Sequence, residues 1–527
     1  MDKLLQDLKD NISKLYLSLA AVFCWGMAAH GYMFLDNSFS HDSLREFHAE
    51  ILGNNIKMGS GRIFTFLYRE LLGSDVTLPW LTGLLALIWI GLAVYLTVRI
   101  FRVESKTMIC LIAGIFATNI AVSATTATYI HDLDSYMFSM LCAVTAVYLW
   151  KEIPFGWLLG AVFAAGSIGI YQGYLFVTVS LVMIDCILRL YREEKLKEVF
   201  AEGLKAIGMI LLGGLLYYLS MKGLLHLTGA QLVKGEYNSM DLILHQSAGD
   251  IVKLILDAYN DWFRRLMDAY SSYPAALVKG ITLLFFGICG AGILTMLADK
   301  RIGLAEKLLC LLLIVLLPFG MNLIYVLTIS RSHDLMTFPI WLFYLFVLLS
   351  AEYLVKKWHR PGQWLRGICI LLAALLLYGN VRFSNGMYMK KDLEFDAYLS
   401  LMTRIVTRME MTEGYVPGET EVVFVGNPEN RIMIPGMKDY WNVIGMTSGD
   451  LLVEPERSRY QAYFDYILCL PINLGDGQRW NEISSGDAAR SMPCYPAAGC
   501  MEFQGDILVV KLGQVADTQQ DYYEIPD

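Results

Sequence analysis

Long apolar runs alternate along the chain with short polar segments. Met108 to Ala127 is twenty residues without a charge, and Leu308 to Ile329 is twenty-two. Runs of this length read as membrane-spanning helices, because about twenty residues cross the hydrocarbon core. Eleven candidate spans follow, over 15–34, 78–98, 107–128, 134–149, 154–168, 174–188, 206–227, 277–298, 308–329, 337–355 and 367–383. The fifth and sixth are short and meet at Gly169-Ile170-Tyr171-Gln172-Gly173. They read either as two spans or as one long broken helix.

Two of the intervening segments, 35–77 and 228–276, are long and carry helical periodicity. Leu44, Phe47 and Ile51 repeat at turn spacing in the first. Ile251, Leu254, Ile255, Ala258 and Trp262 do so in the second. Amphipathic helices here either lie in the interface and shape a groove over the bilayer, or pack on the spans.

The composition agrees with a membrane protein. Hydrophobic residues make up 56% and charged residues 17%, against about a quarter charged in soluble domains. The mean hydropathy is +0.46. Disorder and a lone soluble domain are both excluded. The charge is uneven. Residues 384–527 hold 11 Lys+Arg and 22 Asp+Glu, while the first 383 residues hold 31 and 28. The chain therefore divides at this break into a membrane domain, 1–383, and an acidic, water-soluble domain of 144 residues, 384–527. No basic stretch points to nucleic acid. Seven of the ten cysteines sit in or beside apolar runs as small buried hydrophobes. Cys494 and Cys500 in the tail read either as a short disulfide loop or as two thiols.

Lysine and arginine set the orientation. With the N-terminus cytoplasmic, the inner segments hold 19 Lys+Arg in 63 residues and the outer segments 9 in 109. Eleven spans then put the tail outside. The first span follows Lys14 without a small-residue cleavage site and reads as an uncleaved anchor.

A transporter places ionisable groups near the bilayer midplane. Here most span middles are clean, and Asp185, near an inner end, is expected to snorkel. Polar groups gather at the outer ends instead. His41, Asp42, Arg45 and Arg62 follow the first span. His131, Asp132 and Asp134 lie between the third and fourth. Tyr171 and Gln172 lie at the 169–173 break, Lys222 near the end of the seventh span, and Arg331, His333 and Asp334 between the ninth and tenth. A reaction centre at the outer surface, with a substrate lying in the membrane, fits this better than a path across it. Acids supply a general base or a metal ligand. Arginine supplies a planar fork for phosphate. Together they suit transfer of a group from a lipid-linked phosphate to a hydroxyl. Plainer roles stand beside these: a loop aspartate such as Asp42 or Asp134 often caps a helix, and Arg62 and Arg331 can hold lipid headgroups.

At these residues the chain resembles the bacterial Gtr-type, type II, membrane glucosyltransferases of the GT-C superfamily. His41-Asp42-Ser43-Leu44-Arg45 with Gly61-Arg62 is similar to that family's acidic pair, arginine and Gly-Arg. Tyr129-Ile130-His131-Asp132-Leu133-Asp134-Ser135 resembles its aromatic turn ending in Asp, and Ile170-Tyr171-Gln172 its Tyr-Gln pair at a helix break. The layout, about eleven spans and then an outer soluble domain, is similar too. The motifs lie within the first 175 residues. His41 stands where an acid is usual, which weakens a two-carboxylate metal site.

The resemblance implies an all-α polytopic, GT-C-like membrane domain, followed by a small extracytoplasmic α/β domain. It implies transfer of a hexose, glucose in this family, from a polyprenyl-phosphate donor to a surface glycan such as O-antigen. The reaction is a single displacement with inversion on the outer face of the cytoplasmic membrane. It makes Asp42 the general base, with Asp132 and Asp134 as further catalytic acids. Arg45, Arg62 and Arg331 fall to the donor phosphate, and His41, His131, Tyr171, Gln172, Lys222 and His333 to substrate binding. The resemblance fixes no cofactor; a divalent metal stays open. A polyprenyl-phosphate-sugar synthase and a flippase are the implied functional partners, beside membrane lipid. The rival readings are a GT-C enzyme moving another lipid-linked unit and a lipid or polysaccharide transporter.

In the tail a helix is expected over 392–411 and strands over Glu421–Val425 and Asp506–Lys511. The topology makes a labelling prediction. In intact cells a unique cysteine near Gln514 reacts with an impermeant thiol reagent and one near Lys195 does not; the reverse pattern refutes it.

Overall fold

The computed structural model describes residues 2–47, 55–73, 76–232, 242–268, 273–330, 332–426, 434, 437 and 457–514. The membrane helices are α1 (Asp2–Leu35), then three short helices α2 (His41–Arg45), α3 (Asn55–Gly59) and α4 (Thr65–Leu72), then α5 (Pro79–Phe101), α6 (Lys106–Thr118), α7 (Ile120–Thr128), α8 (Leu133–Glu152), α9 (Gly156–Ile170), α10 (Leu175–Tyr191) and α11 (Leu196–Thr228). They continue with α12 (Ala248–Met267), α13 (Ala275–Ala298), α14 (Leu304–Met321), α15 (Leu323–Leu327), α16 (Phe338–Trp358) and α17 (Arg360–Glu410). Among the described residues ten helices are long and apolar enough to cross a membrane, and α9 is a shorter apolar helix.

The 169–173 break separates two helices. Tyr171 is extended (φ −153°), and a 3-10 turn over Gln172–Tyr174 starts α10. α9 runs antiparallel to α8. Ser139 donates to the Ser167 carbonyl at 2.9 Å, and buried Ala161 and Ala164 let the backbones approach.

Breaks inside spans need partners for the freed backbone groups, since lipid offers none. Asn119 meets this need between α6 and α7. Its amide nitrogen donates to the carbonyls of Ile115 (2.8 Å) and Phe116 (3.1 Å), and its amide oxygen accepts from Ala121 (3.1 Å) and Val122 (3.3 Å). One side chain thus ends one helix and caps the next. Asn322 stands at the α14/α15 break and donates to the Ala258 carbonyl at 2.9 Å. That bond ties α12 to the break. The apolar face of α12 packs on the spans, with Leu254 and Ala258 buried against Val326, and a Ser247/Asp250 capping box starts the helix.

Two expectations need correction. Asp185 does not snorkel: it is 1% exposed and ion-paired with Lys151, which also donates to the Ile100 carbonyl at 2.6 Å. A carboxylate in apolar surroundings takes a counter-charge where a neighbouring helix brings one. The tail helix is not a separate element either. α17 is one helix of 51 residues, because no proline stands between Pro361 and Pro417 to stop it.

The chain forms two compact units. The first comprises residues 1–34, 50–126 and 132–385; the second gathers 35–49, 127–131 and 386–527. In the second, strands β1 (Glu421–Val425), β2 (Met501–Gln504) and β3 (Ile507–Lys511) form a sheet of order β1-β3-β2. β1 pairs with β3 in parallel and β2 with β3 antiparallel. β3 is buried along its whole length, and Phe424 stacks on Tyr460 at 4.3 Å. Cys494 and Cys500 are not joined in a disulfide. Also in this unit, Lys391 is fully buried and donates to the Ala127 carbonyl at 2.7 Å.

Asn119→Leu removes four hydrogen bonds at a buried break. It is expected to cost about 2 kcal/mol or more, read as a lower thermal midpoint in detergent. An unchanged midpoint would mean that α6 and α7 close their own bonds.

Candidate functional site

A Schellman turn follows α3 in the first unit. Gly61 N–H donates to the Met58 carbonyl and Arg62 N–H to the Lys57 carbonyl, both at 2.9 Å, with Gly61 at φ +77°. A left-handed residue is needed there, which explains glycine before Arg62. The turn's carbonyls are held in turn: Gln172 donates to Ser60 at 2.8 Å, and Tyr217 to Gly61 at 2.9 Å. Phe64 N–H donates to the Gly169 carbonyl at 2.8 Å, and a Cβ on Gly169 would lie 2.3 Å from the Phe64 ring. The turn is thereby fixed on the α9/α10 break.

Lys57, in this turn, and Arg69, on α4, enter a polar cluster at the start of α8. Lys57 Nζ lies 2.6 and 2.7 Å from the two carboxylate oxygens of Asp132, and Arg69 Nη2 lies 2.8 Å from one of them. Asp132 is fully buried, and both cations are about nine-tenths buried. Asp132 occupies the N-cap of α8 but makes no side-chain cap bond. Its carboxylate is turned away from the helix to the two cations. Asp134, also buried, accepts from Tyr68 Oη at 3.0 Å and from Ser135 N–H at 2.9 Å. Burial and the Asp134 charge push the Tyr68 hydroxyl above the usual tyrosine range, so it stays protonated and donates. Trp89 donates to Tyr68 at 2.9 Å.

Arg62 is half-buried. Its Nη1 donates to Tyr136 Oη at 2.6 Å, and its guanidinium lies 5.6 Å from the Tyr136 ring centre and 5.0 Å from that of Tyr171. The two rings lie 4.3 Å apart. Three cations thus meet two buried carboxylates at one end of the spans. Such a site has capacity for an anion, because the buried carboxylates do not cancel the cations.

A second polar group lies in the same unit around Arg265. It bridges Asp261 (2.8 Å) and Asp334 (2.5 Å), and Asp261 also accepts from Asn322 at 3.0 Å. Burial favours the protonated Asp261, but Arg265, Arg264 and Asn322 outweigh it and hold the carboxyl below its usual range. His333 is half-buried here, and burial lowers its pKa below the ordinary histidine value, which favours the neutral ring. A cavity of about 230 Å³ opens among Asn260, Asp261, Arg264, Tyr325 and Ser332. The segment joins the tyrosine cluster through Phe338, whose ring lies 5.7 Å from Tyr174, itself 5.6 Å from Tyr171.

The predicted residues are thus placed as follows. Arg62, Asp132, Asp134, Tyr171 and Gln172 come together. His333 sits in the Arg265 group. Lys222 is exposed on α11, with Nζ 4.8 Å from the Tyr218 ring centre. Asp42, His41, Arg45 and His131 belong to the second unit. Ser40 caps α2, Asp42 lies in its first turn and is half-buried, and His131 Nδ1 lies 3.3 Å from Ser43 Oγ. Arg331 lies outside the described residues. Lys57, Tyr68, Arg69, Trp89 and Tyr136 were not singled out from the sequence. The available signal was that two of the few cations of segment 35–77 flank Gly61-Arg62 at helical distances. Among the described residues no three metal-ligating side chains cluster.

A family model for the glucosyl transferase GtrII matches residues 31–350. The chain belongs to the GtrII glucosyltransferase family. The match runs well past the motifs of the first 175 residues and takes in the whole Asp132 cluster and the Arg265 group. No curated protein and no solved structure matches the chain. As a GtrII family member it is a multi-pass glycosyltransferase that takes a sugar donor and a glycan acceptor.

Asp132→Asn leaves two buried cations without their counter-ion. The expected cost is about 3–5 kcal/mol of stability, read as thermal unfolding in detergent. Adding Lys57→Met to Asp132→Asn is expected to recover part of it. Two losses that simply add would show that Lys57 and Asp132 are not coupled.

Proposed function

We propose that this GtrII glucosyltransferase moves glucose from a polyprenyl-phosphate donor to a hydroxyl of a cell-surface glycan. The reaction takes place on the outer face of the cytoplasmic membrane, with the N-terminus in the cytoplasm and the tail outside. In the proposed step a carboxylate takes the proton of the acceptor hydroxyl. The hydroxyl oxygen attacks the anomeric carbon, and the bond from that carbon to the phosphate oxygen breaks. Polyprenyl phosphate leaves with the bonding electron pair, and the anomeric configuration inverts. Negative charge grows on the departing phosphate, so donors aimed at it stabilise the transition state.

The observation that supports this reading is Arg62. A glycine turn and two tyrosine rings hold its planar fork, and Lys57 and Arg69 share the cluster, anchored on Asp132. Asp132, engaged by two cations, suits a positioning role. Two carboxylates are kept for the base: Asp42, which the family resemblance favours, and Asp134. A polar, charge-balanced cavity such as that beside Arg264 and Tyr325 suits the hydroxyls of an acceptor sugar. Arg45 and Arg331 stay with the donor phosphate in this reading, as do His41, His131, Lys222 and His333 with substrate.

The test is transfer from polyprenyl-phosphate glucose in membranes. Arg62→Ala is expected to lose on the order of 10²-fold in turnover, and Arg62→Lys to recover only part, since lysine keeps the charge but not the fork. Of Asp42→Asn and Asp134→Asn, the one that loses on the order of 10²-fold or more identifies the base. Full activity in Arg62→Lys removes the phosphate clamp. Full activity in both asparagine variants removes both candidate bases.

A further inference from the structure

A second charged cavity, of about 520 Å³, lies at the opposite end of the spans from Asp132. α8 joins the two places: Asp132 precedes its first turn, and Trp150 to Glu152 form its last. Twenty helical residues rise about 30 Å, one hydrocarbon thickness. The cavity is therefore at the other membrane face. It opens among the ends of α5, α8 and α10, the first turn of α9 and the second and third turns of α11, and nothing in the glucosyl transfer uses it.

Its lining has two parts. One is basic: Arg102, Lys151, Arg189, Arg192 and Lys205. Three of these cations are neutralised. Lys151 pairs with Asp185, Arg189 with Glu194 at 2.6 Å, and Lys205 with Glu202 at 2.6 Å. Arg102 and Arg192 are exposed and have no ion pair among the described residues. Of the three lining carboxylates, Glu194 and Glu202 are taken up in those pairs, and Glu152 is left without a basic partner among the described residues. The cavity is left with a net positive charge carried by two guanidiniums, the fork that grips phosphate in two bonds. The other part is aromatic. Trp150, Phe155 and Trp157 stand beside the cations, and the Phe155 ring is 80% exposed at the turn between α8 and α9. Tryptophan and exposed phenylalanine at the end of a span mark headgroup depth.

We propose that this cavity binds the phosphate of an anionic membrane lipid, with Arg102 and Arg192 on the headgroup and Phe155 among the upper acyl carbons. A basic pocket between spans, lined by interfacial aromatics, selects charged over zwitterionic lipid. The plainer role for these cations is neutralising the carbonyl ends of α5 and α10. That role uses no lipid and makes no distinction between headgroups.

The experiment titrates lipid into the purified full-length protein in neutral detergent and counts bound lipid by native mass spectrometry, with thermal unfolding in parallel. The probes are phosphatidylglycerol, phosphatidylcholine and inorganic phosphate. Phosphatidylglycerol is expected to be retained and to raise the thermal midpoint, and phosphatidylcholine to do neither. Arg102→Gln with Arg192→Gln is expected to weaken phosphatidylglycerol binding on the order of ten-fold or more, with the lipid-free midpoint unchanged. Phe155→Ser, which keeps every charge, is expected to weaken the lipid but not to create a preference for phosphatidylcholine. Equal retention of the two lipids overturns the proposal. So does inorganic phosphate binding with the same arginine dependence, since the ligand is then soluble. A double variant that loses lipid-free stability and keeps its lipid binding shows that the cations serve the helix ends.

Discussion

The Asp132 carboxylate, held between Lys57 and Arg69, is the interaction on which the candidate site depends. A buried carboxylate is costly without cations, and two buried cations are costly without the carboxylate. Each group therefore fixes the others. Asp132 stands at the first residue before α8, Lys57 on α3 and Arg69 on α4. The triad thus pins two short helices of a loop to the start of a span. Lys57 also supplies the carbonyl that closes the Schellman turn, and the next residue after that turn's glycine is Arg62. The aim of Arg62 at the tyrosine pair is a consequence of where Lys57 is held.

The same economy governs the spans. Where a helix breaks inside the apolar layer, one amide meets the exposed polar groups. Asn119 does so between α6 and α7 and Asn322 between α14 and α15; inside α10, where no helix breaks, Lys151 answers the Asp185 carboxylate. Two of these reach toward functional regions. Asn322 donates to Asp261 in the Arg265 group, and Lys151, the partner of Asp185, lines the basic cavity. Polar residues within the membrane layer here are structural partners whose second contacts shape sites.

Much of the architecture was legible along the chain. Uncharged runs of twenty residues have one use in a protein of this composition, so spans could be read directly. The 3.6-residue period of Leu254, Ala258 and Trp262 announced α12, and the short β-branched and aromatic run Glu421–Val425 before Gly426-Asn427-Pro428 announced β1. Gly61-Arg62 stood out through the family resemblance, and Tyr171-Gln172 through both that resemblance and the glycine-flanked break at 169–173. Lys57 and Arg69 did not, since a lysine in one short helix and an arginine in another look like solvated loop charges. Nothing in their spacing says that both face a carboxylate more than sixty residues away.

By itself, then, the sequence determined what depends on neighbours in the chain: which segments are apolar enough to span, the one break at 169–173, and that arginine and aspartate collect at one end of the spans; the breaks at Asn119 and Asn322, inside uncharged runs, came only with the tertiary structure. The tertiary structure decided what each charge does. It made Asp132 the partner of two cations, and it made Asp185 a buried ion pair. It also set Gln172 to hold the carbonyl of Ser60. Its reason is long-range electrostatics in a medium with little water: a buried charge is stable only beside its opposite, and which opposite lies within 3 Å is settled by packing between distant segments.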